Sequence, residues 1–352
     1  MRIIKDLKER VSTMFNTDVI GFDIGEGLIK LVEVNLKQGN IQLSDLAITS
    51  TPSGAIVDGK LKDINSLVEQ IEPLLKNNSF KAEQVVTAIS GEEVIIRTIE
   101  IPNMDEEELD EVIYWEAQEQ IPISVESAIL DYEIITQKPD GNYELMLVAV
   151  ARDLINKYIE LFNNLGLQPV AIEIEPTAAA RVINYLYSKE TICLVDIGTG
   201  TTDVSIFSNG ELIFTRTIDI SGYDITEEIM DSQNLNFVEA EEYKRSHNFF
   251  EDSDLNILIR NLLTAIYRSL DYFQVQYKEY DIEKLVLTGG ESNLIGLDTH
   301  LENEFEVETE RLDLLSSIDS TVNHLNQREL ADISQLLNVG IGLAMREGED
   351  NG

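Results

Sequence analysis

Asp196-Ile197-Gly198-Thr199-Gly200-Thr201-Thr202-Asp203 follows the apolar run Ile192-Cys193-Leu194-Val195 and precedes a second β-like run, Val204 to Phe207. Asp23-Ile24-Gly25-Glu26-Gly27 stands in the same setting, after Val19-Ile20-Gly21-Phe22 and before Leu28 to Val34. Apolar runs on either side of a glycine turn read as the two strands of a hairpin, so the chain carries the unit strand-DIGxG-strand twice. Glycine tolerates positive φ and has no Cβ, and successive backbone N–H groups in so tight a turn converge on an anion such as phosphate. An Asp at the strand's carboxyl end is repelled by phosphate, yet it accepts hydrogen bonds from the water shell of a Mg²⁺ that bridges phosphate oxygens. Two such turns are suited to grip one polyphosphate from opposite sides.

The 352 residues, 43% of them apolar, suffice for two or more domains with full cores and argue against disorder. No apolar run approaches the ~18 residues of a membrane span, and the charged start lacks the apolar stretch of a signal peptide, so the chain is expected in the cytosol. Cys193, the one cysteine, excludes an internal disulfide and reads as a packed thiol. His247, His300 and His324 are scattered without metal-ligand spacing, which speaks against a zinc site or a Ser-His-Asp triad. With 65 acidic against 26 basic residues the net charge is −39, which disfavours nucleic acid as a partner. Such an imbalance repels itself unless salt screens it; it reads first as a strongly solvated surface and, as the alternative, as adaptation to a salty cytoplasm.

Residues 2–15 carry Ile3, Leu7, Val11, Met14 and Phe15 near helical spacing, with Arg2, Lys5, Lys8 and Arg10 at polar positions. This amphipathic helix either makes weak peripheral contact with anionic lipid or packs on its own domain. Three strands, a helix near 63–77 and the strand Gln84 to Ile89 give an α/β opening. From about 91 to 171 the order becomes strand, helix, strand, strand: Glu93 to Ile101 stops at Pro102, the acidic helix Asp105 to Gln120 is closed by Pro122, and two strands flank Lys138-Pro139-Asp140-Gly141-Asn142. A helix ended by Gly166, a strand to Glu173 and a helix opened by Pro176 follow. In the second half, a strand to Ile220 leads to a turn at Ser221-Gly222-Tyr223-Asp224 and a helical region over 225–277 with the core stripe Ile259, Leu262, Leu263, Ile266, Leu270 and Phe273. The strand from Lys284 runs into Thr288-Gly289-Gly290, where paired glycines let the backbone approach a flat base or ribose. A last helix is expected over 333–345, with a polar tail behind it.

Four segments taken in order, Asp23 to Gly27, Glu173-Ile174-Glu175-Pro176-Thr177-Ala178-Ala179-Ala180, Asp196 to Asp203, and Leu285 to Asn293, resemble the phosphate-1, connect-1, phosphate-2 and adenosine motifs of the actin/Hsp70/sugar-kinase ATPase superfamily. The resemblance spans nearly the whole chain. It implies an α/β, actin-like (ribonuclease H-like) two-lobed fold, and the insert at 91–171 looks like the SHS2-type 1C subdomain of the cell-division protein FtsA and the type IV pilus assembly protein PilM. The PilM family is the nearer match, through Lys30-Leu31-Val32-Glu33-Val34 after the first D-I-G and through Arg268-Ser269-Leu270-Asp271-Tyr272-Phe273. On this pattern residues 16–90 form the first part of subdomain 1A, 91–171 the insert, and 172–352 the return to 1A with 2A and 2B.

The resemblance implies ATP and Mg²⁺ as ligands and assigns roles by position. Asp23 and Asp196 hold the Mg²⁺ water shell, and Glu175 orders another metal-bound or attacking water. Gly25 lies in the first phosphate turn, while Gly198, Thr199, Gly200, Thr201 and Thr202 cradle phosphate oxygens with Asp203 supporting their turn. Lys30 either neutralises phosphate charge or points outward as a solvated strand lysine. Gly222, Gly289 and Gly290 border ribose and adenine, and Arg268 covers the base.

Two departures point to slow turnover or none. Glu26-Gly27-Leu28 stands where superfamily members often have Ser or Thr after the first D-x-G, and a carboxylate there opposes a γ-phosphate unless it turns away. Ser221-Gly222-Tyr223-Asp224 replaces a Gly-Gly pair at the ribose turn. Losing hydroxyl donors near the γ-phosphate slows phosphoryl transfer more than it weakens binding. The implied function is an ATP-binding scaffold of the pilus inner-membrane platform, recruited to the membrane's cytoplasmic face by the N-terminal peptide of a PilN-like bitopic protein and by other platform proteins. An FtsA-like polymerising tether and a small-molecule kinase are the alternatives.

Overall fold

The computed structural model describes residues 19–37, 39–91, 93–104, 106–250, 257–322 and 324–346. The expected amphipathic helix at 2–15 and the polar tail beyond Arg346 lie outside them. The chain divides into two compact units: unit 1 holds residues 1–36, 43–178 and 343–352, and unit 2 holds 37–42 and 179–342. Among the described residues no helix is long and apolar enough to cross a membrane.

Unit 1 opens with β1 (Val19–Ile24), β2 (Leu28–Lys37) and β3 (Asn40–Ser50), then α1 (Ile64–Asn77) and β4 (Gln84–Ile89). The insert contributes β5 (Val94–Ile101), α2 (Glu106–Gln120), β6 (Ala128–Gln137) and β7 (Tyr143–Ala151), after which α3 (Arg152–Leu165), β8 (Gln168–Ile174) and the start of α4 (Glu175–Tyr187) complete the unit. Its main sheet runs β8-β4-β1-β2-β3. β1 is antiparallel to β2 and parallel to β4, and β4 is parallel to β8. Every residue of β1 is buried, as expected of a strand covered on both faces, which explains its unbroken apolar reading. Because β1, β4 and β8 run in parallel, their carboxyl ends share one edge, and ligands of open α/β sheets bind at such an edge.

Two carboxylates inside this unit do structural work. Glu33 is buried and accepts from the backbone N–H of Lys81 at 2.8 Å, and Asp45 accepts from that of Ser79 at 2.6 Å, which pins the loop between α1 and β4. The insert has its own core. Its sheet, ordered β5-β7-β6, packs Ile99, Leu145 and Leu147 against Leu109, Ile113 and Ala117 of α2. α3 then returns to the main sheet, where Phe162 meets Phe22 of β1 edge to face with ring centroids 5.2 Å apart.

Unit 2 repeats the pattern. β9 (Thr191–Ile197), β10 (Thr202–Ser208) and β11 (Glu211–Ile218) are followed by α5 (Gly222–Gln233), α6 (Phe237–Ser246), α7 (Ile257–Gln276) and β12 (Lys284–Thr288). After α8 (Leu297–Phe305) and β13 (Glu308–Arg311), α9 (Gln327–Ile333) and α10 (Asn338–Ala344) close the unit. The sheet order is β11-β10-β9-β12-β13, with β9 antiparallel to β10 and parallel to β12. Each D-I-G thus ends a central strand that pairs with its hairpin partner on one side and a parallel strand on the other.

Three local readings change. The helical region 225–277 is three helices: Asn234 takes the left-handed conformation (φ 54°) after α5, and Asn236 with Glu239 forms a capping box that starts α6. The Ser221-Gly222-Tyr223-Asp224 turn is itself the capping box of α5, Ser221 and Asp224 satisfying each other's backbone N–H. The single helix expected over 333–345 is interrupted, α9 ending at Ile333 and α10 starting at Asn338.

Candidate functional site

Two candidate sites are present, one at the carboxyl edge of each unit's sheet. In unit 1 the turn after β1 is closed by Gly25, whose N–H donates to Leu28 O at 3.0 Å, and it is latched by Thr51, whose hydroxyl donates to Gly25 O at 2.6 Å and whose N–H donates to Gly27 O at 3.0 Å. Asp23 and Lys30 are register partners on β1 and β2. Their side chains form an ion pair at 2.6 Å, the lysine 14% and the aspartate 7% exposed, so Lys30 is no solvated strand lysine. Glu26 turns away from the turn's centre, with Oε1 accepting from the backbone N–H of Gly59 at 2.8 Å. Glu175 opens α4 directly after β8, at the edge where β1 ends. Tyr158 of α3 is buried, and burial raises its phenol pKa with help from the charges of Glu175 and Asp23.

In unit 2 the turn after β9 is closed by Gly198, whose N–H donates to Thr201 O at 2.9 Å. The N-terminus of α5 leans on this turn, with Gly222 donating to Gly198 O at 2.9 Å and Tyr223 to Thr199 O at 3.2 Å. None of these bonds uses the N–H of Thr199, Gly200 or Thr201, and those donors are the ones an anion would take. Asp196 and Asp203 are register partners across β9 and β10. Burial pushes the Asp203 carboxyl up to about 6, while hydroxyls of Thr217 (2.5 Å) and Thr201 (3.4 Å) pull the other way. Thr202 is fully buried and its hydroxyl is spent on Ile220 O at 2.7 Å.

Gly289 explains its own glycine. It sits at φ +87°, and a Cβ there would stand 2.4 Å from both Asp196 Oδ1 and Ile197 O. Gly290 is roomier, its nearest foreign atom being Leu336 Cδ2 at 3.8 Å. Gly222 faces Glu291, whose Oε1 would lie 2.4 Å from an added Cβ. Arg268 is exposed on α7, and among the described residues no hydrogen bond or ion pair joins it to Gly222, Glu291 or Gly289.

Sequence reasoning missed the residue that ties these parts together. Lys244 of α6 is 1% exposed, and its ammonium donates to Gly222 O (3.0 Å), Thr226 Oγ1 (2.7 Å) and Glu291 Oε1 (2.8 Å) while pairing with Glu241 Oε1 (2.8 Å). It joins the α5 N-terminus to the Thr288-Gly289-Gly290-Glu291 loop. The Glu241-Lys244 spacing shows only an i,i+3 pair, and nothing local says that it is buried.

In unit 2 the N–H groups of Thr199, Gly200 and Thr201 beside Asp196 suit phosphate, and in unit 1 the Gly25 turn is flanked by the Asp23–Lys30 pair. Among the described residues no group of three or more His, Cys, Asp or Glu is placed to hold a metal. A Mg²⁺ beside Asp23 or Asp196 would complete its shell with water and phosphate, the usual habit of that ion.

A family model described as type IV pilus assembly protein PilM matches residues 21–348. A solved chain of a PilM-PilN type IV pilus biogenesis complex is 28% identical, with a TM-score of 0.85 over 94% of this chain and 98% of that one. The fold is also that of MreB5 of Spiroplasma citri, solved bound to ADP, at 12% identity and TM-score 0.55 over 96% and 99% of the chains. FtsA of Bacillus subtilis is 20% identical over 66% of this chain, which spans 59% of that relative's length. The actin-like α/β fold implied by the resemblance of the four ordered segments is thereby established.

Proposed function

The chain belongs to the PilM family of type IV pilus assembly proteins, and from that membership we propose that it is an ATP- and Mg²⁺-binding scaffold of a pilus assembly platform that captures the N-terminal cytoplasmic peptide of a PilN-like membrane protein. The observation that carries the ligand is the Thr199-Gly200-Thr201 turn, whose N–H groups are left over by the bonds that close it, next to Asp196. A bound Mg²⁺ would neutralise phosphate charge; in unit 2 the turn N–H groups orient phosphate while Lys244 holds the α5 N-terminus against the Gly289-Gly290 loop, and in unit 1 Lys30 supplies positive charge beside its own turn. The partner reading is supported by the relative of the PilM-PilN complex, which this chain covers almost entirely.

Turnover is slow or absent. Hydrolysis needs donors placed on the charge that develops at the γ-phosphate, and unit 1 offers Glu26 where a hydroxyl would serve. Lys30 is already paired with Asp23, so part of its charge is spent. The test is fluorescence anisotropy of a labelled N-terminal peptide from a PilN-like protein, with and without Mg-ATP, alongside phosphate release. Saturable peptide binding with phosphate release at background supports the scaffold. No binding in either condition, or acceptor-dependent ADP release, overturns it.

A further inference from the structure

We propose that Glu26 is a positioning residue through which the phosphate turn of unit 1 and the inserted subdomain respond to each other. The inference rests on the nucleotide-binding reading and deepens it by giving that site a regulatory connection.

Glu26 reaches out of the phosphate turn to the backbone N–H of Gly59, 2.8 Å away and 33 residues along the chain. Gly59 lies with Asp58 in the tight turn between the two-residue strands Ile56–Val57 and Lys60–Leu61, both residues at positive φ (+52° and +70°). The far side of that turn rests on Ser90 and Gly91, the link between β4 and the insert. A Cβ on Gly59 would stand 2.5 Å from Ser90 O and 3.3 Å from Gly91 Cα, and one on Gly91 (φ +90°) would stand 3.2 Å from Asp58 O and from Gly59 Cα. Backbone therefore presses on backbone, with no side chain between to absorb a shift.

The same small hairpin is held by residues at both ends of the insert. Lys60 pairs with Glu93 at 2.9 Å, just before β5, and Lys157 of α3 donates to Leu61 O at 2.9 Å, just after β7. A movement of the insert thus reaches Gly59 and, through its N–H, Glu26. In the other direction, phosphate entering the turn repels the Glu26 carboxylate, whose hydrogen-bond partner is the Gly59 N–H. Coupling of this kind is reciprocal: what nucleotide does to the insert, an occupant of the insert does to nucleotide affinity.

Amide hydrogen exchange on the full chain tests this. Without nucleotide, Glu26→Ala should speed exchange at Gly59 roughly five- to tenfold and raise it across β5, while Glu26→Gln, whose carbonyl still accepts, should stay near wild type. With Mg-ATP, the wild type should change its exchange across residues 58–61 and 94–101, and Glu26→Ala should lose the change at 94–101 while still binding Mg-ATP by calorimetry. Wild-type exchange at Gly59 and β5 in nucleotide-free Glu26→Ala, or the same Mg-ATP response in both proteins, would overturn the proposal. A wild type that does not bind Mg-ATP would sink the nucleotide reading instead, and the nucleotide-free comparison would still decide whether the latch joins the turn to β5.

Discussion

Asp196 and Asp203 stand directly opposite each other on β9 and β10, so two carboxylates share one face of the sheet beside the Gly198–Thr201 turn. Burial raises the Asp203 carboxyl from 3.8 to about 6. A raised folded-state value means that ionising Asp203 costs folding free energy: the cost is absent below about pH 4, grows as pH rises through 6, and is complete above it. Asp203→Asn, neutral throughout, should gain on wild type by up to about 2 kcal/mol between pH 4.5 and 7.5 in urea denaturation. A stability difference that does not change with pH would contradict this.

The two adjacent glycines of the β12 loop should behave differently. Gly289→Ala drives a Cβ against Asp196 and Ile197 at a positive φ and should cost about 1–3 kcal/mol and displace Asp196. Gly290→Ala meets nothing closer than 3.8 Å and should change stability by less than about 0.5 kcal/mol. Equal melting temperatures for the two variants would refute the close-approach argument.

Lys244→Met leaves the Glu241 and Glu291 carboxylates and the Gly222 carbonyl without their shared cation and should cost about 3 kcal/mol. Lys76→Met removes an exposed i,i+4 pair with Glu72 and should cost less than about 0.5 kcal/mol. Chemical denaturation of both variants makes the comparison, and a Lys244→Met protein as stable as Lys76→Met would show that the buried cluster is not structural.

Local signals in the chain encode its strands and turns, whereas contacts between distant residues leave no local trace. β1 is buried along its length and β9 along all of it but half-buried Asp196, so both read as apolar runs, and the insert announces itself through Pro102, Pro122 and the Lys138–Asn142 turn. Asn234 and the Asn236-Glu239 box also mark a helix break in the sequence, but the apolar stripe of α7 is the stronger signal and masks it. Ser221-Gly222-Tyr223-Asp224 was ambiguous for a physical reason: the residues that favour turns also cap helices, and Asp at the third helical position stands in for the more familiar Glu. The partners of Glu26 and Lys244 lie 33 and up to 47 residues away, and no local periodicity encodes such contacts.

The acidic surface gives a prediction of its own. With 65 carboxylate residues against 26 basic ones, raising NaCl from about 0.1 to about 1 M shortens the screening length from ~10 to ~3 Å and should raise the melting temperature. A melting temperature that is flat or falls with salt would remove the case for a salt-adapted surface.

Calorimetric titration of Mg-ATP into the wild type and Asp196→Ala decides whether the Asp196–Asp203 turn holds a magnesium nucleotide, as proposed. The wild type should bind saturably and with Mg²⁺ dependence, and the folded variant should lose roughly tenfold or more in affinity, or the Mg²⁺ dependence. Wild-type affinity and Mg²⁺ dependence in Asp196→Ala, or no binding to the wild type, would contradict the proposal.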